Sequence, residues 1–196
     1  MNVKAYSLHV ACRFKMLAMN ILKKIYSFSI RHFYSLEQQA RMCGVKMGKN
    51  NQIFGTFWSS EPYLIEIGND CQITGGVRIF THGGAKVARI IDPSFDCFGK
   101  VKIGNNVYIG TNSLIMPGVI VGDNVLIAAG SVVTRSIPDN VVIGGNPAHV
   151  ICSFDDYYAK NKQYNTGTKG LSFEEKKQFL LEQDNIKFIK KKMLNI

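Results

Sequence analysis

Residues 103–138 read IGNNVY-IGTNSL-IMPGVI-VGDNVL-IAAGSV-VTRSIP, six consecutive units of six residues with no insertion. The first position is always Ile or Val: Ile103, Ile109, Ile115, Val121, Ile127 and Val133. The fifth is Val107, Ser113, Val119, Val125, Ser131 and Ile137, small or β-branched throughout. Gly104, Gly110 and Gly122 fill the second position in three units. A strict period of six fits neither an amphipathic helix nor an alternating strand. It fits a chain that turns a corner every six residues. Two inward side chains per unit fill a narrow interior, and Gly, Asn and Asp supply the corners. Hexapeptide periodicity of this kind is a signature of a parallel β-helix.

The beat begins weakly at Met47 and Ile53 and breaks across Ser59–Glu66, where Pro62 marks an insertion. It resumes as IGNDCQ-ITGGVR-IFTHGG, with Ile67, Ile73 and Ile79 in the first position. It stops at Gly83-Gly84, and residues 85–100 do not keep the period. We expect a loop over 83–100, thrown out from a rigid coil, where function tends to reside. Eighteen residues then make one triangular turn. Gly144-Gly145-Asn146-Pro147 predicts a turn that ends the regular coil. Ahead of the coil, Phe14, Leu17, Ile21, Leu22, Ile25 and Phe28 recur at helical spacing. Ser35 predicts the cap of a second helix, Leu36 to Met42, with Gly44 as its stop. Behind the coil, Ser172 and Glu175 predict a capping box and a helix carrying Leu180, Leu181, Ile186, Ile189 and Met193, with 160–170 as a mobile linker. The expected organisation is a helical cap over 1–44, a coil over 45–151 and a helical tail over 152–196. Repeat arrays need such caps.

Charge is distributed unevenly. There are 24 Lys+Arg against 14 Asp+Glu, and much of the surplus lies at the two ends. Residues 1–50 contain nine basic side chains and Glu37 as the only acid. A basic amphipathic N-terminal helix suits either a cap on the coil or peripheral contact with an anionic inner-membrane surface. The five cysteines are dispersed, with no CxxC pair, which suggests reduced thiols and a cytoplasmic setting. Neither a signal peptide nor a spanning run of about 20 apolar residues is expected. No aromatic-basic motif of the nucleic-acid modules occurs, so nucleic acid is not an expected partner.

The stretch IGNNVYIGTNSLIMPGVIVGDNVLIAAGSVVTRSIPDNVVIGGNPAHVI resembles the hexapeptide-repeat acyltransferases of the left-handed β-helix class. A Thr-His pair ending one coil, followed by a loop and clean repeats, is most similar to the O-acetyltransferases of polysaccharide synthesis. Serine, galactoside and xenobiotic acetyltransferases share the pattern. The resemblance implies an all-β, left-handed parallel β-helix with helical appendages. It implies acetyl-CoA as co-substrate without a metal, direct transfer to a hydroxyl of a sugar in a capsular or lipopolysaccharide precursor, and a homotrimer with sites between chains. Serine or an antibiotic is the alternative acceptor.

His82 is then expected to be the base. Acyl transfer to an alcohol needs a group that removes the hydroxyl proton, and imidazole titrates near neutrality. The acid that orients it is left open among Asp92, Asp96 and Glu66. By resemblance, the pantetheine arm lies along Thr111 and Ala129, with Thr134, Arg135 and His149 further on, and a backbone N–H near Gly110–Thr111 meets the oxyanion. His149 stands where the family usually has Lys or Arg, and Cys152 replaces a further basic residue, so part of the phosphate binding is expected from elsewhere. Two other functions compete. A zinc anhydrase on the same coil needs three converging histidines, but the repeats hold one, with His149 at their end and His9 and His32 before them. A solenoid scaffold has no need of Thr-His at a loop root.

Overall fold

Each six-residue unit builds one short strand and one corner. The computed structural model describes residues 33–183 and 187–193. The expected helix over Phe14–Phe28, with His9 and His32, lies outside them. Helix α1 (Leu36–Cys43) opens with a capping box between Ser35 and Gln38 and stops at left-handed Gly44. Strands β1 (Lys46–Met47), β2 (Gln52–Ile53), β3 (Ile65–Ile67), β4 (Gln72–Ile73) and β5 (Arg78–Ile79) precede the loop. Strands β6 (Val101–Ile103), β7 (Tyr108–Ile109), β8 (Leu114–Ile115), β9 (Ile120–Val121), β10 (Leu126–Ile127) and β11 (Val132–Val133) follow it.

Three parallel sheets make the three sides. The first is β1-β3-β6-β9, the second includes β2-β4-β7-β10, and the third is β5-β8-β11. Ile115 pairs with Val133, eighteen residues on, so one coil is one triangular turn. Ile79 pairs with Ile115, thirty-six residues on. The loop therefore adds a full period and rejoins the coil in phase.

Every first-position side chain from Ile67 to Val133 is buried, as are fifth-position Cys71, Val77, Val107, Val119 and Val125. Ser113 and Ser131, also buried, donate to the carbonyls of Gly110 and Ala128, so neither hydroxyl is stranded in the core. Where the second position is glycine, coils stack backbone to backbone and leave no room for a Cβ. A Cβ on Gly104 would lie 2.6 Å from Gly122 O, and one on Gly110 would lie 2.7 Å from Ala129 Cα.

Corners use the left-handed region at the fourth position, filled by Asn106, Asn112 and Asn124 at φ between 53 and 59 and by Gly118 and Gly130. Asparagine tolerates this region and can bond its neighbours. Asn106 Nδ2 donates to Asn124 Oδ1 at 2.8 Å, and Asn124 Nδ2 donates to Asn140 Oδ1 at 2.8 Å. The variant Asn124→Ala, which loses both bonds and keeps a strained φ, is expected to lose about 2 kcal/mol in chemical denaturation. Asn124→Gly, free of the strain, should lose about half as much.

The C-terminal boundary differs in detail from expectation. The chain ends the coil with an antiparallel hairpin, β12 (Val141–Gly145) and β13 (Ala148–Ser153), turning at Asn146-Pro147. A helix then follows where the sequence reading placed only an unassigned segment: α3 (Phe154–Asn161), capped by Ser153. A 3-10 turn at Lys162–Tyr164 occupies part of the expected linker. The capping box at Ser172 opens the last helix, α4 (Phe173–Leu181). It ends sooner than the apolar spacing predicts, so Ile189 and Met193 lie beyond it.

Candidate active site

The loop leaves and re-enters the coil at one corner. Gly99 N–H donates to Thr81 O at 2.7 Å, and His82 bridges to Phe98 across the loop root. Between them the loop carries a single helical turn, α2 (Ala85–Ala88), and exposed apolar side chains. His82 is thus fixed where the coil stops repeating, with its ring 5.8 Å from that of Phe98.

The acid beside His82 is Glu61. Its Oε2 lies 2.7 Å from His82 Nδ1. None of the three expected acids takes this place. Glu66 sits on β3, a different side of the prism, and pairs with Lys46 at 3.2 Å. Asp92 accepts from the backbone and hydroxyl of Ser94 and closes a turn of the loop. Asp96 faces Arg89 at 3.5 Å. Glu61 belongs to the irregular stretch between the first and second coils. Register there runs in steps of twenty on the first two sides, Lys46 to Glu66 and Ile53 to Ile73, and of twenty-one on the third, Phe57 to Arg78, which brings residue 61 alongside residue 82.

Glu61 is itself held. Thr81, fully buried, lies 2.8 Å from both Glu61 Oε2 and Ser59 Oγ. A hydroxyl has one proton and a carboxylate can only accept. Thr81 therefore donates to Glu61 and accepts from Ser59. Ser59 adopts a positive φ of 46 to reach it. Donation from Thr81 is the largest influence on the Glu61 carboxyl. Partial desolvation opposes it, and His82 adds to it, leaving the group below its ordinary value of 4.5. Ionised Glu61 has no proton to give, so the hydrogen shared by the pair sits on Nδ1, and Nε2 is the ring nitrogen left free of it. The His82 side chain stays 40% exposed against 17% for Glu61, so the ring can be reached while its support is shielded.

The sign of the linkage follows. A lowered carboxyl contributes stability above its unfolded value and loses it as pH falls through the folded one. The melting temperature of wild type is expected to exceed that of Glu61→Gln at neutral pH. The gap should close below pH 4.5, as thermal denaturation at a series of pH values would show.

The other residues expected at the site are all exposed but do not converge within one chain. Thr111 and Ala129 share the corner at one edge of the third sheet, where Gly130 N–H donates to Thr111 O. Thr134 and Arg135 follow β11 at the opposite edge, the edge that also carries His82 two coils away. His149 lies on β13, paired with Gly144. Among the described residues no group of His, Cys, Asp and Glu is arranged to hold a metal.

The chain is similar to several known proteins. A family profile described as bacterial transferase hexapeptide (six repeats) matches residues 100–135. Protein CapG of Staphylococcus aureus is 44% identical over 151 residues, covering 75% of this chain and 88% of that protein. Galactoside O-acetyltransferase of Escherichia coli (strain K12) is 51% identical over 125 residues, covering 58% of this chain and 61% of the relative, so the chain spans less than two thirds of that protein. A solved galactoside acetyltransferase in complex with coenzyme A superposes with a TM-score of 0.51 at 25% identity, over 71% of this chain and 82% of that one. With the strict repeat, the three parallel sides and a relative matched along most of its length, the chain belongs to the hexapeptide-repeat acyltransferases, whose coil is a left-handed β-helix.

Proposed function

We propose that this chain is an acetyl-CoA-dependent O-acetyltransferase whose acceptor is a hydroxyl of a sugar in a capsular polysaccharide or lipopolysaccharide precursor. The observation that carries the reading is the Glu61–His82 pair at the loop root. Its geometry suits general base catalysis: Glu61 holds the imidazole tautomer, and Nε2 takes the proton from the acceptor hydroxyl as its oxygen forms a bond to the acetyl carbon. His82, now protonated, returns that proton to the departing sulfur. The thioester supplies the acetyl group. Gly110 N–H is committed to Ile127 O, so of the two expected oxyanion donors the N–H of Thr111 is the one retained.

The residues present fit a slim thioester arm. The corner at Thr111 and Ala129 is exposed, and small residues bring the two coils together there, a Cβ on Gly110 falling 2.7 Å from Ala129 Cα. Arg135 is exposed and has no ion-pair partner among the described residues, which suits a phosphate. The relative named for galactoside O-acetylation supports a sugar acceptor.

The proposed assembly is a homotrimer with each site between two chains, which lets the Thr111 edge of one chain meet the His82 edge of another. Two features favour it. The sides of a prism offer little concavity of their own. The loop also leaves Ile90 and Ile91 at 85% and 90% exposure, surface that a neighbour would cover. Residues 1–44 act in this reading as the cap of the coil, 45–151 as the catalytic body, and 152–196 as an appended tail. No described helix is long and apolar enough to cross a membrane.

Release of free thiol from acetyl-CoA, measured with sugar, serine and antibiotic acceptors, tests the reading. Turnover is expected with sugars foremost, from a species of three chains in light scattering. A strict monomer with full activity would refute the shared site.

A further inference from the structure

The outward side chains of the third sheet form a grid that divides in two. In the first coil Phe57 and Glu61 lie on this side, and in the second Arg78, Phe80 and His82 run beside them. Phe57 bridges to Arg78, just as Glu61 meets His82 two rows away. In the third and fourth coils the same side shows Leu114 and Val132, in register with Arg78. In this row the half nearer the N-terminus is therefore aromatic and cationic, and the other half is aliphatic.

The aromatic half is organised around Arg78. The rings of Phe57 and Phe80 lie 5.8 Å apart, and the Arg78 guanidinium carbon is 5.6 Å from the centre of the Phe57 ring. Phe57 nonetheless stays 48% exposed. Among the described residues Arg78 has no ion-pair partner. A guanidinium stacked on a ring keeps its fork of N–H donors in one plane and free to take an oxyanion bidentately. Arg78 and His82 lie four residues apart, on either side of a bend at Thr81, so at most about 13 Å separates them. The charge and the reacting hydroxyl are then assigned to neighbouring sugar units.

We propose that this half-face is the acceptor subsite and that it takes an acidic saccharide. Sugar rings lie against Phe57 and Phe80, Arg78 holds a carboxylate or phosphoryl group, and a neighbouring unit offers its hydroxyl to His82. The proposal rests on the acetyl-transfer reading of His82. The thioester arm is assigned to the Thr111–Ala129 corner, which leaves this half of the side to the other substrate.

Binding can be read without chemistry. Wild type is titrated calorimetrically with three tetrasaccharides: one neutral and glucose-based, one containing glucuronate, and one phosphorylated on a primary hydroxyl. An acidic probe is expected to bind about tenfold tighter than the neutral one, the worth of a charge-assisted bond. The uronate and phosphate arms identify the oxyanion. The preference should collapse in Arg78→Gln, return in part in Arg78→Lys, weaken with salt, and persist in His82→Ala. Phe57→Leu, which keeps an apolar side chain but removes the ring, should weaken all three probes. Equal binding of the three probes by wild type, or binding of none, overturns the subsite, as does a preference that survives Arg78→Gln. A change of oligomeric mass in Arg78→Gln would assign the cation to a subunit contact and overturns it too. Loss of transfer from every acceptor with the preference intact would strike the reaction and leave the subsite standing.

Discussion

Replacing His82 with alanine is expected to lower kcat for acetyl transfer by about 10²–10⁴-fold, the range supplied by a positioned general base. That corresponds to roughly 3–5 kcal/mol of lost barrier reduction. The KM for acetyl-CoA should change little, because the arm is assigned to the Thr111–Ala129 corner and not to His82. The fold should be untouched, since His82 lies at a loop root outside the buried stack. Glu61→Ala is expected to fall between wild type and His82→Ala: the imidazole remains, but nothing fixes the proton on Nδ1. The two changes should not add, because Glu61 acts through His82, so the double variant should match His82→Ala. Steady-state thiol release measures all three. Unchanged turnover in His82→Ala would remove the catalytic assignment. Additive losses would mean that Glu61 contributes by some other route.

His82 was legible in the sequence and Glu61 was not, for one physical reason. The repeats announce themselves through a local period, and an interruption of that period is equally local. His82 stands on the last unit before the interruption. Glu61 stands in a stretch with no period, and it reaches His82 only because the first coil is two residues longer than the later ones. Proximity to the loop favoured Asp92 and Asp96, yet within the loop these acids satisfy Ser94 and Arg89. The signal that finds Glu61 is register. Aligning Ile53 with Ile73 sets a step of twenty and carries residue 61 to Thr81, within one residue of His82. The helix α3 was missed on similar grounds. FDDYYAKN has a weak apolar stripe and buries no side chain, so capping by Ser153 is its main visible support. Arg78 and Phe57 were overlooked because a single cation and a single ring gain meaning only when two coils lay them side by side.

The phase of the repeat carries its own large expectation. Ile109→Ala should destabilise the chain by about 2–5 kcal/mol, against a total stability of about 5–15 kcal/mol for a domain. Ile109 is 0% exposed and sits mid-stack, with Ile73 paired on one side and Ile127 on the other. A narrow interior filled by two side chains per unit cannot collapse into the gap, because each rung is pinned by hydrogen bonds to the coils on either side, such as Gly110 N–H to Ile127 O. The neighbouring Tyr108 points outward and is 39% exposed, so Tyr108→Ala should cost less than about 1 kcal/mol. A solenoid transmits the loss only to adjoining coils, so opening is expected to begin at the β4–β7–β10 rung and not at the capped ends. Chemical denaturation at fixed protein concentration measures the difference and holds association constant between variants. A larger loss at 108 than at 109 would mean that the period had been assigned to the wrong side of the strand, because a shift of one residue exchanges every inward side chain for an outward one.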